Sequence, residues 1–271
     1  MTQTPNPIDL KNVQPKVIYV PPKIILYGRN GIGKSTFALK APNPVFLDLD
    51  ENIYELPCIS NKTLGIPIRT YDDVLGFLGT LFNEDHEFKT LVIDSLSSLE
   101  KLIIQKVLKD SNVASLASFQ YGQGYQKMMP LWDRVLEKLK NLWSHKKLII
   151  IMLAHHKEKR EEHLTGASYM QYQINLYEKS SELLRNWCSC VLFAEDEIEL
   201  ENEIVEFNRS ISKVKSSTRV LHTDGGTTFL AKNTYNLPLK LPLDWNVLFN
   251  HIQAYYTQFN QLSTEERGVT K

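Results

Sequence analysis

From residue 23 to residue 153 the chain alternates short apolar runs with longer amphipathic stretches, and the hydrophobic period moves between two and 3.6 as it goes. Residues 23–27 predict a strand. Residues 34–40 open a helix that Pro42 stops, and 45–48 is a second short strand ending in acid. Residues 71–81 place Val74, Leu75, Leu78 and Leu81 on one helical face. A strand at 90–93 closes on Asp94. Two further helices follow, 96–109 through Leu96, Leu99, Ile103 and Val107, and 127–143 through Leu131, Val135, Leu139 and Leu142. The run 148–153 is continuously apolar and of strand length, which suits a strand covered on both faces. This alternation predicts an α/β fold, a mainly parallel sheet flanked by helices.

The texture changes after Ala154. Residues 155–173 are polar and charged without a sustained period and predict a long loop. A helix at 175–187 and an apolar strand at 188–194 come next. Segments 199–207 and 211–222 then predict a β-hairpin about a turn at Asn208-Arg209-Ser210, and Asp224-Gly225-Gly226 is a second turn signal. Residues 244–259 predict a last amphipathic helix capped by Asp244. At the other end Pro5, Pro7, Pro15, Pro21 and Pro22 predict an arm, with 17–20 as an edge strand. The expected organisation is an arm at 1–22, a core at 23–243 carrying a hairpin at 195–222, a C-terminal helix at 244–260 and a frayed tail at 261–271. There is no internal repeat.

Composition narrows the classes. The chain has 271 residues, 42% hydrophobic and 23% charged, enough to bury a large sheet. Its formal charge is zero at pH 7, so no global field draws it to nucleic acid or an anionic membrane; such affinity requires a local patch or several subunits. Three cysteines make no disulfide framework, and Cys188 and Cys190 sit in an apolar run where reduced, buried thiols are expected. No run is long and apolar enough to span a bilayer, and the first nine residues lack a signal pattern, which predicts a cytoplasmic protein without a membrane partner.

The sharpest chemistry is Gly28-Arg29-Asn30-Gly31-Ile32-Gly33-Lys34-Ser35, a full match to G-x-x-x-x-G-K-[ST] between a strand and a helix. Residues 28–36, through Thr36, are the expected cradle for the phosphates of ATP. Backbone amides at a helix start favour phosphate oxygens, Lys34 supplies charge to the β- and γ-phosphates, and the Ser35 hydroxyl is a ligand for Mg²⁺. Leu91-Val92-Ile93-Asp94 provides the second metal ligand, Asp94, at the end of a neighbouring strand. The next residue is Ser95, where AAA-plus machines place a catalytic Glu, so a group that orients water must come from elsewhere. Asp50 and Glu51, ending the strand between the two motifs, are the candidates. His155, after the apolar run 148–153, is placed to sense the γ-phosphate. A zinc site at His155-His156 is excluded, because neighbours on a strand point to opposite faces and no further ligands have metal spacing.

With these parts in order, the chain resembles the RecA-like P-loop ATPases of phages, in particular the single-strand annealing and recombination group called Sak-four. The resemblance rests on 27–36, 46–51, Leu91-Val92-Ile93-Asp94-Ser95-Leu96, Tyr121-Gly122-Gln123-Gly124-Tyr125, Ala154-His155-His156-Lys157, and Lys232-Asn233 ahead of Leu237-Pro238, together spanning roughly 20–245. It implies a RecA-like P-loop core, ATPase activity with ATP and Mg²⁺, single-stranded DNA binding, and self-association into filaments or rings with ATP between subunits. A single-strand-binding protein is a further implied partner. The family often carries Glu where Asp50 aligns, and here Glu51 follows, so either carboxylate serves as the base. Lys232 is the implied trans contact to a neighbour's γ-phosphate, with Arg219 second. DNA contacts are expected at Lys157, Lys159 and Arg160 after the sensor strand, with Tyr169 and Tyr172 able to stack, and at Tyr121 and Tyr125 around a glycine-rich loop. The acidic run from Glu195 to Glu206 is expected to face away from DNA. The rival reading is a ring-forming motor or loader; a small-molecule phosphotransferase lacks an Arg-rich lid and an acceptor motif.

Overall fold

Ile, Leu, Val and Met fill consecutive positions at 24–26, 91–93 and 149–153, and strands of that kind must be covered on both faces. The structure, a computed structural model, describes residues 17–50, 56–162, 166, 168–205 and 209–265, and their side chains except those of 121, 199–205, 209–216 and 259–265. Its elements in chain order are β1 (Lys23–Gly28), α1 (Lys34–Leu39), β2 (Pro44–Asp48), β3 (Ile59–Ser60), α2 (Tyr71–Asn83), β4 (Thr90–Asp94), α3 (Leu96–Ser111) and α4 (Gln123–Ser144). There follow β5 (Ile149–Glu162), β6 (Ser168–Ile174), α5 (Glu178–Trp187), β7 (Cys190–Val205), β8 (Arg209–His222), β9 (Lys232–Asn233), β10 (Lys240–Pro242) and α6 (Trp245–Glu265).

The sheet order is β10-β8-β7-β1-β5-β4-β2-β3, with β6 added to β5 and β9 to β7. From β7 across to β3 all neighbours are parallel, whereas β8, β10, β6 and β9 pair antiparallel. This is the α/β architecture expected of a RecA-like P-loop core. Alternate residues serve alternate faces. Ile25, Tyr27, Leu91, Ile93, Ile150 and Met152 pack beneath α2 to α5, while Ile24, Leu26, Val92, Ile149, Ile151 and Leu153 pack beneath α1 and α6. The helices start where local chemistry dictates. Thr70 and Asp73 form a reciprocal capping box on α2, and the Asp244 carboxylate accepts from the amides of Asn246 and Val247 at the head of α6.

Five segments depart from the pattern. Residues 155–173 are not a loop: β5 runs on to Glu162 and turns back as β6, with His156 opposite Ile174 and Glu162 opposite Ser168. Both faces of this hairpin are polar, so its ladder leaves no apolar period to detect. The expected strand 188–194 and first hairpin segment are one strand, β7, paired with β8 from Phe193–His222 out to Val205–Arg209. Val17 to Val20 form no strand. Pro21 and Pro22 cannot donate to a ladder, and the arm is tied down by its carbonyls instead: Trp143 Nε1 donates to Pro21 at 2.7 Å and the Tyr256 hydroxyl to Val20 at 3.3 Å. The glycine-rich stretch 121–125 is not a loop: a 3-10 turn at Gln120–Gly122 leads straight into α4, which starts at Gln123 and is capped by Gly122 at φ 71, and α6 continues to Glu265 into the expected tail.

Cys188 ends α5 and Cys190 begins β7; both are buried, and burial pushes both thiols up, Cys190 to about 12. Cys58 is only half-buried. A thiol reagent at pH 8 should therefore label Cys58 in the native chain and all three cysteines after denaturation, as mass spectrometry of the labelled peptides will report. Fast native labelling at Cys190 would contradict the packing of β7 against β1.

Candidate nucleotide-binding site

Parallel pairing brings the C-terminal ends of four strands to one edge. Gly28 lies opposite His155, Asp94 opposite Leu153, and Asp48 opposite Asp94. Gly28 must be glycine, because a Cβ there would stand 2.5 Å from the Ala194 carbonyl of β7. The loop then climbs through Gly31 and Gly33, both at positive φ, into α1. Ile32 points away from the loop mouth into the core beside α1 and anchors it.

A cavity of about 330 Å³ opens on this loop, lined by Asn30, Gly31, Gly33, Lys34, Ser35 and Thr36 from the loop side. Asp50, Asp94 and His155 close the other side. The Lys34 ammonium donates to the carbonyls of Arg29 at 2.9 Å and Gly28 at 3.2 Å, so it spans the loop. Burial lowers its pKa, against the pull of Asp94 and Asp50. The Ser35 hydroxyl donates to Asp94 Oδ2 at 2.6 Å. Burial pushes the Asp94 carboxyl up to about 6 despite that bond, and repulsion from Asp50 and Asp48 adds to it, with Lys34 pulling the other way. Two hard oxygen donors in contact, one a carboxylate short of counter-charge, fit Mg²⁺, which takes one or two protein ligands and completes its shell with phosphate and water. Among the described residues there is no cluster of three or more His, Cys, Asp or Glu that could hold a metal ion.

Asp50 is held from three sides. Its Oδ2 is 3.3 Å from His155 Nε2. Burial alone would raise the carboxyl, but hydrogen bonds from His155, Ser98 and Ser95, together with the attraction of His155, outweigh it and hold the group at about 2. A carboxylate so depressed is a poor proton acceptor and a good fixed acceptor of a water's hydrogen bond. Ser95 also caps α3, accepting from the Ser98 amide. Sequence reasoning noticed Ser95 only as a missing Glu; the Ser-x-x-Ser spacing before a helix was the available signal for its capping role. Glu51 lies outside the described residues.

Strand parity settles the two histidines. His155 shares the face of Leu153 and meets Asp50, whereas His156 lies on the other face, edge-on to Tyr172 at 5.3 Å. Tyr172 is in turn stacked on Phe193 at 5.3 Å, so it serves the interior rather than a nucleic-acid base. Arg29 does not line the phosphate cavity; it pairs with Asp196 at the root of β7. Arg219 of β8 reaches the same carboxylate at 3.8 Å and lies against Gly33, where a Cβ would meet its Nη1 at 3.2 Å. The start of the acidic run thus faces the phosphate loop, a contact between residues 167 apart that no local pattern announces. Arg219 stands beside the loop of its own chain. Lys232 pairs with Val191, three residues back along β7 from the partner of Gly28, and does not line the cavity of its own chain.

The expected DNA contacts are unevenly placed. Lys157 donates to the Leu176 carbonyl, and Lys159 pairs with Glu161 at 3.0 Å and Glu178 at 3.6 Å. Arg160 is the exposed cation of that run, its guanidinium donating to Ser168 Oγ at 3.1 Å. Tyr125 sits in the first turn of α4, stacked on Tyr177 at 4.3 Å with its outer side exposed. The side chain of Tyr121 lies outside those described.

The Asp50 arrangement has a pH signature. A carboxyl lowered from its ordinary value near 3.9 to about 2 contributes stability that is complete above about pH 4 and is lost as the pH falls toward 2. Asp50→Asn, which cannot ionise, should be less stable than wild type by a constant margin from pH 7 down to about pH 4.5, with the margin narrowing below that. Urea midpoints at stepped pH measure it, and a margin that stays constant to pH 3 would show that the hydrogen bonds, not the charge, carry the effect.

Among solved structures, the crystal structure of the RadB recombinase is similar over 80% of this chain and 92% of that chain, at 13% sequence identity and a TM-score of 0.39. No curated protein matches the sequence. A family model described as an AAA domain matches residues 20–235, which take in the phosphate loop, Asp50, Asp94, His155 and Lys232. The chain belongs to this AAA domain family.

Proposed function

We propose that the chain is an ATPase that binds single-stranded DNA under the control of ATP and promotes strand annealing in phage recombination. The observation that carries this reading is the course of β5. It passes without a break from His155, in the wall of the phosphate cavity, into the hairpin that bears Lys157, Lys159 and Arg160. Occupancy of the cavity and the set of that hairpin are therefore linked through one strand. Family membership implies use of a nucleotide, usually with Mg²⁺.

When bound, MgATP supplies the scissile anhydride. Lys34 offsets charge on its terminal phosphates, and Ser35 and Asp94 hold the cation. Asp50 orients the attacking water, with Glu51 the alternative. His155, bonded to Asp50, registers the terminal phosphate and passes its state along β5. Lys232 serves a neighbour's site in an assembled filament or ring, since its place on β9 keeps it from the cavity of its own chain. Among the described residues no helix is long and apolar enough to cross a membrane.

Wild type should bind a labelled oligo(dT) more tightly with a non-hydrolysable ATP analogue than with ADP and should speed annealing of complementary strands. Lys34→Ala should lose nucleotide binding and, with it, the nucleotide effect on DNA. Absence of single-strand binding by wild type in any nucleotide state would overturn the reading. For the water-orienting group, Asp50→Asn should lower turnover about 10²-fold at little cost to nucleotide affinity. Retained turnover in Asp50→Asn with loss in Glu51→Gln would move the role to Glu51.

A further inference from the structure

The Asp50–His155 pair is a partition, not an end wall. On its far side lies a second cavity of about 480 Å³ that shares both residues with the phosphate cavity. Leu49, Ile68 and Leu102, all half-buried, give it an aliphatic patch beside Asp50, His155 and Ser98. Its rim is polar and cationic. Arg69, Lys101 and Gln105 are exposed there; Arg69 attracts the Asp73 carboxylate, and among the described residues Lys101 has no ion pair within 4 Å.

The backbone under this rim is firmly held. The Arg69 amide donates to Asp73 Oδ2 at 2.9 Å, in the capping box of α2, and Lys101 stands in the first two turns of α3, three residues beyond Ser98. Ser98 lines the second cavity and is among the groups that favour the charged form of Asp50. The volume lies in the range of sites that enclose small organic groups, and an aliphatic patch beside two cations suits a flat base with a phosphate next to it. Arg69 and Lys101 are exposed, whereas Leu49, Ile68 and Leu102 are half-buried. A backbone that passes the opening and turns one base inward meets that geometry better than a free anion, which would be met by cations within.

Resting on the DNA-binding reading above, we infer that this second cavity receives one nucleotide unit of the bound single strand, with Arg69 and Lys101 on its phosphates and its base against Leu49, Ile68 and Leu102. DNA and the terminal phosphate of ATP then lie on opposite sides of one hydrogen-bonded pair. Neither Arg69 nor Lys101 touches the phosphate cavity, so removing them leaves the catalytic groups in place.

The test is Arg69→Ala/Lys101→Ala against wild type, with Arg160→Ala alongside and thermal melting to confirm the fold. Loss of two phosphate contacts should make the slope of log K against log salt for oligo(dT) shallower by about 1.4. DNA stimulation of ATP turnover should fall toward the basal rate while the basal rate itself is kept, and Lys101→Arg should restore most of the affinity. Wild-type affinity and slope in the double variant would overturn the inference and leave the DNA-binding reading standing, the more so if Arg160→Ala alone weakens binding. Absence of DNA binding by wild type would remove both. Equilibrium dialysis that finds two free nucleotides per wild-type chain and one per double-variant chain would assign the cavity to a mononucleotide instead. A change in sedimentation of the double variant without DNA, with its DNA affinity intact, would assign it to contact between copies. A double variant that fails to melt cooperatively passes the decision to Lys101→Glu alone, for which weaker oligo(dT) binding supports the inference and unchanged binding overturns it.

Discussion

A carboxylate drawn half out of water is expensive to keep charged, and Asp50 is held low because groups from three separate elements favour its charged form. His155 comes from β5, Ser95 from the junction after β4, and Ser98 from the first turn of α3. The phosphate site depends on this convergence more than on the loop itself. A glycine-rich loop can bind phosphate wherever its amides are free, but it gains a reactive geometry only where a fixed acceptor stands beyond the terminal phosphate. That acceptor draws together the strand that precedes it, the helix after Asp94 and the strand leading to the outer hairpin. Moving any one of the three elements alters the other two.

The fold was legible where burial is two-sided and the site was legible where it is local. Ile149 to Leu153 could only be a central strand, and once its alternation was fixed His155 had to share a face with Leu153 and α1. Gly28 to Thr36 carried their chemistry in their spacing. The hairpin from His156 to Ile174 was hidden because neither face is buried deeply enough to impose a period; backbone pairing holds it, and pairing leaves no mark in composition. Asp196 was hidden for a different reason. Its meaning comes from Arg29 and Arg219, and strand pairing brings those together only when the sheet is assembled. Ser98 was invisible because serine in a first helical turn is ordinary; Asp50, which it faces, lies just beyond the end of β2.

Charge was the least legible quantity. The run Lys157-Glu158-Lys159-Arg160 looks basic in sequence, yet folding spends Lys157 on a backbone carbonyl and Lys159 on two carboxylates. Arg69 and Lys101 are unremarkable in sequence, thirty-two positions apart and isolated from other cations. The structure sets both at one opening. Counting cations along a chain therefore misplaces the positive surface of this protein: the residues near the expected path are largely neutralised, and Arg69 and Lys101 are exposed at a separate opening.

The same distinction decides how one side of the site can act on the other. Up to Ala154, β5 is buried on both faces and cannot shift without opening the core, which costs a large part of the global stability. Beyond His155 the strand is held by its ladder to β6 and by half-buried side chains, so its position can change at far lower cost. The boundary falls at the residue that touches Asp50. A displacement at Asp50 thus has two ways out, along β5 from His155 to the hairpin, or directly into the second cavity, but none through the sheet. The second way is the shorter: Asp50 and His155 line both cavities, whereas the hairpin is reached only along a strand. On that ground the second cavity is more directly coupled to the phosphate cavity than the hairpin is.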